Sequence, residues 1–152
     1  MTHTALRTAV VAALAFGAGL AVAHVPQSAR AAAAPLQPAV IDIAAITPAD
    51  LPTPTAASPN LRSKTLVVAD GATGQVQIGT VVKHYHADAN EIQFVVSGSG
   101  TEWLGDKQIA LKPGMMLIIP AGTPHAGTTD PNLKLVSFKT PPQAATDVHP
   151  VP

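Results

Sequence analysis

The sequence contains no cysteine, which excludes disulfides, thiol chemistry and cysteine-based zinc sites. Aromatic residues make up only 3% of the chain, so there are few stacking surfaces for bases or sugar rings. Charge is sparse and balanced, with nine basic and nine acidic residues. Because no cluster of basic residues could contact phosphates, we do not expect a nucleic acid as a partner.

The first 23 residues have the pattern of an export signal. Arg7 precedes an apolar stretch from Ala9 to Ala23, and this stretch ends in the small-x-small sequence Ala21-Val22-Ala23. It is shorter than the roughly 20 residues that cross a membrane as a helix. We therefore predict cleavage after Ala23, no stable membrane anchor, and a periplasmic or secreted protein. An uncleaved anchor is the alternative.

The remaining chain divides by composition into three parts. Residues 24–63 are rich in alanine and proline, and we interpret them as an extension that either packs partly on the domain or is disordered. Residues 64–139 form the predicted domain, since 152 residues suffice for one domain of ordinary size. Residues 140–152 are rich in proline and are predicted to be a loose tail.

The predicted domain consists of short β-type runs separated by turn signals such as Asp70-Gly71 and Pro113-Gly114. The linkers are too short for βαβ units, so we predict an all-β antiparallel sandwich or barrel. The predicted strands are Thr65–Ala69, Gln75–His84, Glu91–Ser97, Gly100–Leu104, Gln108–Leu111, Met115–Ile119, His125–Thr128 and Leu133–Phe138.

Alternation along the second predicted strand predicts which face two histidines, His84 and His86, point to. Successive side chains of a strand point to opposite faces, and both histidines share their parity with apolar residues. The row predicted to face the barrel interior comprises Val76, Ile78, Thr80, Val82, His84 and His86. The row predicted to face outward comprises Gln75, Gln77, Val81, Lys83 and Tyr85.

Glu91 and His125 complete a set of four donors typical of metal sites. Gln93 shares the parity of Glu91, so both are expected in the same cavity, and no second acid is predicted to face inward. A buried carboxylate is costly unless a cation compensates it. Three imidazoles and one carboxylate suit one divalent transition metal, such as Mn, Fe, Co, Ni, Cu or Zn. We predict a site of His84, His86, Glu91 and His125, with Gln93 as a hydrogen-bond partner in the pocket.

Two segments resemble the paired signature of the cupins, which are small double-stranded β-helix, or jelly-roll, barrels. In the first segment Gly79 precedes His84-Tyr85-His86, then Glu91 follows after four residues and Gly98 after six more. Gly79 lies one residue closer to the histidines than is usual in the family.

The second segment has Gly114, five residues, Pro120-Ala121-Gly122, two residues and His125. Thr129 stands where the family usually has Asn. The resemblance covers residues 64–139 and implies a cupin barrel in which all four family metal ligands, the residues predicted above, are present.

The resemblance also bears on function. Cupins include dioxygenases, decarboxylases, isomerases and proteins that only bind ligands, and small members commonly form homodimers. We therefore expect an exported metal-binding cupin that acts on a small phenolic or carboxylic compound, with or without dioxygen. The alternative is a non-catalytic exported cupin that binds a metal or a small ligand.

Overall fold

The computed structural model describes residues 35–69, 71–128 and 132–151. The predicted export signal and Thr129 lie outside these residues. No helix in the described part of the chain is long and apolar enough to span a membrane. The strands are β1 Leu61–Ala69, β2 Ala72–Gly79, β3 His84–Tyr85, β4 Asn90–Ser97, β5 Gly100–Leu104, β6 Lys107–Leu111, β7 Met116–Ile119, β8 His125–Thr128, β9 Lys134–Thr140 and β10 His149–Pro150.

The strands form two five-stranded sheets, in which neighbouring strands run antiparallel. The first sheet has the order β1-β2-β9-β4-β7 and the second has the order β10-β3-β8-β5-β6. Strands adjacent in space are mostly distant in sequence, as in a jelly roll. The prediction of an all-β jelly-roll barrel is confirmed.

One predicted strand is divided in two, and this changes which side chains face inward. The run predicted from Gln75 to His84 ends as β2 at Gly79, and β3 begins in the other sheet at His84. Gly79 has φ +117°, and a Cβ there would lie 2.1 Å from the Asn60 carbonyl oxygen, so only glycine fits this crossing. Alternation therefore does not continue through the crossing, and Val82 is 64% exposed.

The hydrophobic residues form two clusters. The first lies between the sheets and consists of Val95, Leu111, Leu117, Ile119, Leu133 and Leu135. The second lies on the outer face of the first sheet, where Leu51 of the extension covers Val76 and Ile78. The prediction that Val76 and Ile78 face the barrel interior is therefore wrong. They are buried because the extension packs on them.

The extension is held on the sheet by two basic side chains. Lys134 Nζ donates hydrogen bonds to the backbone oxygens of Ile43 (3.2 Å) and Ala44 (2.8 Å). Arg62 Nη1 donates to the backbone oxygen of Pro52 at 3.1 Å. The alternatives for residues 24–63 were packing on the domain and disorder. Residues 43–52, which make these contacts, pack on the domain.

The C-terminal tail is also attached, in contrast to the loose tail expected from its prolines. Pro150 pairs with His84 and His149 pairs with Tyr85, so β10 extends the second sheet at its edge. Proline is tolerated there because an edge strand needs fewer backbone donors. The Val151 amide donates to the Lys83 carbonyl at 3.0 Å.

Candidate metal site

The four residues predicted as metal ligands come together between the two sheets. His84 and His125 are paired neighbours on β3 and β8, and His86 follows β3 directly. Glu91 comes from β4 in the other sheet. All four are buried, with exposures between 1% and 6%. One ring nitrogen of each histidine lies within 4.8 Å of those of the other two, a spacing that can hold a metal ion. Glu91 is not part of this group and lies beside it, against His86 and His125.

The Nδ1 atom of each histidine is bonded to the backbone. His84 Nδ1 donates to the Val82 carbonyl (2.8 Å) and His125 Nδ1 donates to the Thr123 carbonyl (3.0 Å). His86 Nδ1 donates to the carbonyl of Asp147. A carbonyl oxygen only accepts, so each Nδ1 carries a proton and each Nε2 faces the site, where it can bind a metal ion once it carries no proton of its own.

Glu91 is the centre of a hydrogen-bond network. Its Oε2 lies 3.1 Å from His86 Nε2 and 3.2 Å from His125 Nε2. Its Oε1 accepts from Ser137 Oγ at 2.6 Å and from Gln93 Nε2 at 3.1 Å. Burial alone would raise the pKa of Glu91, but the bonds from the two histidines, the charge of Lys139 and the Ser137 bond hold this pKa well below its usual range. Glu91 is therefore an ionised carboxylate.

The distances and charges fit a divalent ion. Two atoms that each lie about 2.1 Å from one ion, at roughly a right angle, are about 3 Å apart. The 3.1 and 3.2 Å contacts between Glu91 Oε2 and the histidine nitrogens agree with that spacing. Burial, followed by the charge of His125, lowers the pKa of His84 to about 4. His84 is therefore neutral at pH 7 and can offer a lone pair.

A cavity of about 210 Å³ lies next to these residues, and seven of the ten other residues that line it are polar. Four glutamines line it: Gln75, Gln77, Gln93 and Gln143. Lys139 also lines it, with Nζ 3.8 Å from Glu91 Oε2. Gln93 was expected here, whereas Gln75 and Gln77 were expected to face outward. That expectation is wrong because the apolar row of β2, with Val76 and Ile78, is buried under the extension on the outer face, which leaves the glutamines on the inner face.

Ser137 and Lys139 are site residues that the sequence interpretation missed. They lie on β9, opposite Gln93 and Glu91 of β4. Both have the same strand parity as Leu135, which is buried in the core between the sheets. Alternation from Leu135 would have placed them inward.

Glu102 is a second inward acid, so the prediction that none faces inward is also wrong. It lies on β5 opposite Gly127 and is fully buried, at 0% exposure. Neither of its oxygens has a well-formed hydrogen bond within the described residues. Burial, followed by the negative charge of Glu91, raises the pKa of Glu102 to about 8, and the Ala126 amide offsets this only partly. Glu102 is therefore mainly protonated at pH 7.

A match to the family model of the cupin domain covers residues 68–138. Together with the two sheets, this match shows that the chain contains a small cupin domain. The three-histidine group lies within this matched region and makes it a cupin with a site suited to a metal ion.

Solved structures with the same fold come from several bacteria. KdgF from Halomonas sp. is 20% identical with a TM-score of 0.52, over 57% of this chain and 84% of that one. Pac13 from Streptomyces, described as a nucleoside dehydratase, is 16% identical with a TM-score of 0.53, over 60% and 78%. Identities this low show the fold alone. No curated protein matches the sequence.

Proposed function

We propose that the protein is an exported, metal-dependent cupin that acts on a small carboxylic compound. The observation that carries the proposal is the set of three Nδ1–carbonyl hydrogen bonds, which leave the Nε2 atoms of His84, His86 and His125 for one ion beside the ionised Glu91. The ion would supply a Lewis acid or an oxygen-binding centre. The protein residues would hold it, keep Glu91 ionised and orient the substrate.

The polar lining of the cavity favours a carboxylic substrate over a phenolic one. Lys139 brings a buried cation to the cavity, and the glutamine amides provide hydrogen-bond donors and acceptors. Among the described residues that line the cavity, none is phenylalanine, tyrosine or tryptophan. A carboxylate or hydroxyl group thus finds more partners there than an aromatic ring does. Cupins of this fold include one solved with uridine, another small polar molecule.

Metal content tests this proposal. Elemental analysis of protein purified from its native compartment should give close to one transition-metal ion per chain, and His84→Ala and His125→Ala should abolish it. Lys107→Ala is the control, because Lys107 is exposed and is not among the residues that line the cavity. A wild-type protein that takes up none of Mn, Fe, Co, Ni, Cu and Zn would overturn the proposal.

A non-catalytic binding protein is the second candidate, and the position of Lys139 favours it. Its ammonium group already compensates part of the Glu91 charge at 3.8 Å, so the cavity could bind a carboxylate without turnover. Oxygen uptake and product analysis with small dicarboxylic and phenolic acids separate the candidates. Turnover that depends on added metal supports the enzyme, including an oxidoreductase if oxygen is consumed. Binding without turnover supports the second candidate.

We also propose that the protein is exported and that cleavage after Ala23 yields a mature chain that starts at His24. The charge and apolar pattern of residues 1–23 support this proposal. N-terminal sequencing of protein from the periplasm or medium should give His24-Val25-Pro26. A full-length chain that stays with the membrane fraction would contradict it.

A homodimer through the first sheet is the proposed assembly. Four large apolar side chains on its outer face are exposed: Phe94 (41%), Met116 (63%), Ile118 (66%) and Phe138 (44%). Contiguous apolar surface of this kind is typical of an interface. Sedimentation analysis should show a dimer that Ile118→Lys converts to a monomer. A monomeric wild type would exclude it.

A further inference from the structure

We propose that Asp147, which lies beyond the matched cupin region, is a positioning residue for His86. It belongs to the C-terminal segment, defined here as residues 141–151, and it is only 3% exposed. Its backbone carbonyl accepts the hydrogen bond from His86 Nδ1. The same residue thereby fixes which ring nitrogen of His86 faces Glu91.

The carboxylate of Asp147 holds the turn that follows His86. Its Oδ1 accepts from the Ala87 amide at 2.6 Å and from the Asp88 amide at 3.2 Å, and its Oδ2 accepts from the Ala89 amide at 3.1 Å. This turn connects His86 to β4, the strand that carries Glu91. Without Asp147, three backbone donors in this turn would lose their partner.

The C-terminal segment also holds the residues before His86. The pairing of β10 with β3 and the bond from the Val151 amide to the Lys83 carbonyl attach it to the strand that begins with His84. Gln143 and Val148 of the segment line the cavity. The backbone on both sides of His86 is therefore fixed by the segment, and the imidazole ring cannot turn away from Glu91 without breaking these contacts.

Removing these contacts should weaken metal binding without removing any ligand. Loss of a hydrogen-bond partner behind a metal-bound histidine typically lowers metal affinity roughly 10- to 100-fold. Asp147→Ala keeps the carbonyl that accepts from His86 Nδ1 but removes the carboxylate that anchors it to the turn. We therefore expect a loss at the lower end of that range, about 10-fold. We expect a smaller loss for Asp147→Asn, because the amide keeps one acceptor oxygen for the turn.

The experiment uses the full-length protein and two measurements. The first is the affinity for zinc by calorimetry, for wild type, both Asp147 variants and Asp88→Ala. Asp88 is the matched control, since it is an acid in the same turn but its side chain is exposed, and its substitution should change affinity less than about two-fold. The second is the NMR signal of the His86 Nδ1 proton in metal-free protein. This proton should be visible in wild type and Asp88→Ala, and lost to solvent exchange in Asp147→Ala.

The two measurements separate this inference from the metal proposal on which it rests. If wild type binds no metal, the proposed function fails, and the Nδ1 signal alone decides the role of Asp147. If Asp147→Ala does not fold, Asp147→Asn gives the same comparison. Wild-type zinc affinity together with a protected His86 Nδ1 proton in the Asp147 variants would overturn the inference.

Discussion

Around the site, the two faces of the first sheet differ in the opposite sense to most half-buried sheets, whereas farther along the strands Val95 and Leu135 on the inner face belong to the core. Alternate residues of β2, β4 and β9 point to the inner face, and these are largely polar: Gln75, Gln77, Glu91, Gln93, Ser137 and Lys139. The residues between them point to the outer face and are largely apolar: Val76, Ile78, Ile92, Phe94, Val136 and Phe138. We call these sets the inner row and the outer row.

This inversion shows how a small barrel can contain a polar site. The inner row is tolerated because Gln93, Ser137 and Lys139 all contact the Glu91 carboxylate, so most of the buried polar groups there have partners. The outer row is apolar because part of it, at Val76 and Ile78, forms a second core under Leu51. Substitutions in the two rows should therefore differ in how much they lower the free energy of unfolding and in whether they disturb the site.

The largest loss of stability is expected at the centre of the inner row. Glu91→Ala leaves Lys139, His86 and His125 without their shared partner, and removal of one member of a buried ion pair typically costs about 3–5 kcal/mol. We expect a loss of this size in the free energy of unfolding of the metal-free protein, measured with urea. Asp88→Ala, an exposed acid nearby, is the control. A Glu91→Ala protein as stable as wild type would mean that the inner row is not a coupled network.

The next largest loss of stability is expected at the covered part of the outer row. Leu51→Ala removes the side chain that covers Val76 and Ile78, and comparable core truncations cost about 2–5 kcal/mol. Leu36→Ala in the same extension is the control, because Leu36 is 59% exposed and should change stability by less than about 0.5 kcal/mol. Equal effects of the two substitutions on urea unfolding would show that the extension does not contribute to the core.

A smaller, pH-dependent effect is expected from Glu102. Its pKa of about 8 lies above the ordinary value of 4.5, so the folded protein keeps a proton that the unfolded chain has released. Stability should therefore fall as the pH rises from 6.5 to 8, by about 2 kcal/mol. Below that window His84 acts in the opposite direction, since its lowered pKa of about 4 makes stability rise with pH between 4 and 6.5.

The test of the Glu102 effect is a set of urea titrations between pH 6.5 and 8. Glu102→Gln cannot ionise and should remove most of the slope, whereas the exposed Asp106→Asn should keep it. Equal slopes in wild type and Glu102→Gln would contradict the assignment of a buried, protonated acid.

The smallest effect on stability is expected at the uncovered part of the outer row. Ile118 is 66% exposed, and exposed substitutions such as Ile118→Thr usually change stability by less than about 0.5 kcal/mol. Leu117→Ala, one residue away and only 5% exposed, should cost about 2–5 kcal/mol. Thermal unfolding at low protein concentration measures both. A large loss in Ile118→Thr under those conditions would mean that this surface is covered in solution.

Much of the fold followed from the sequence because alternation and turn signals act locally. Predicted and observed strands agree closely from Glu91 to the end of β8, where Gly105, Gly114 and Gly122 occupy turns that require a positive φ. The prediction failed between Gly79 and His84, where the chain changes sheets. Alternation cannot be followed across such a crossing. The two rows of β2 were exchanged because its apolar row was assumed to face inward, whereas the extension covers that row on the outer face.

The four predicted donors are brought together, but several of their partners were not predicted. Asp147 lies about sixty residues from His86, and nothing in the local pattern indicates their contact. Glu102 was missed because glutamate is rarely buried without a partner. Ser137 and Lys139 could have been found from strand parity. Motifs identify the donors, whereas the groups that orient them or shift their pKa values come from distant segments.

The most direct test of the central claim, that the three histidines hold one metal ion beside Glu91, is X-ray absorption of zinc-loaded protein. The account predicts nitrogen or oxygen neighbours at about 2.0–2.1 Å, with the outer-shell signal of three imidazole rings. His125→Ala, which should not retain zinc, should give no such signal. A first shell of oxygen atoms alone, without imidazole scattering, would contradict the account.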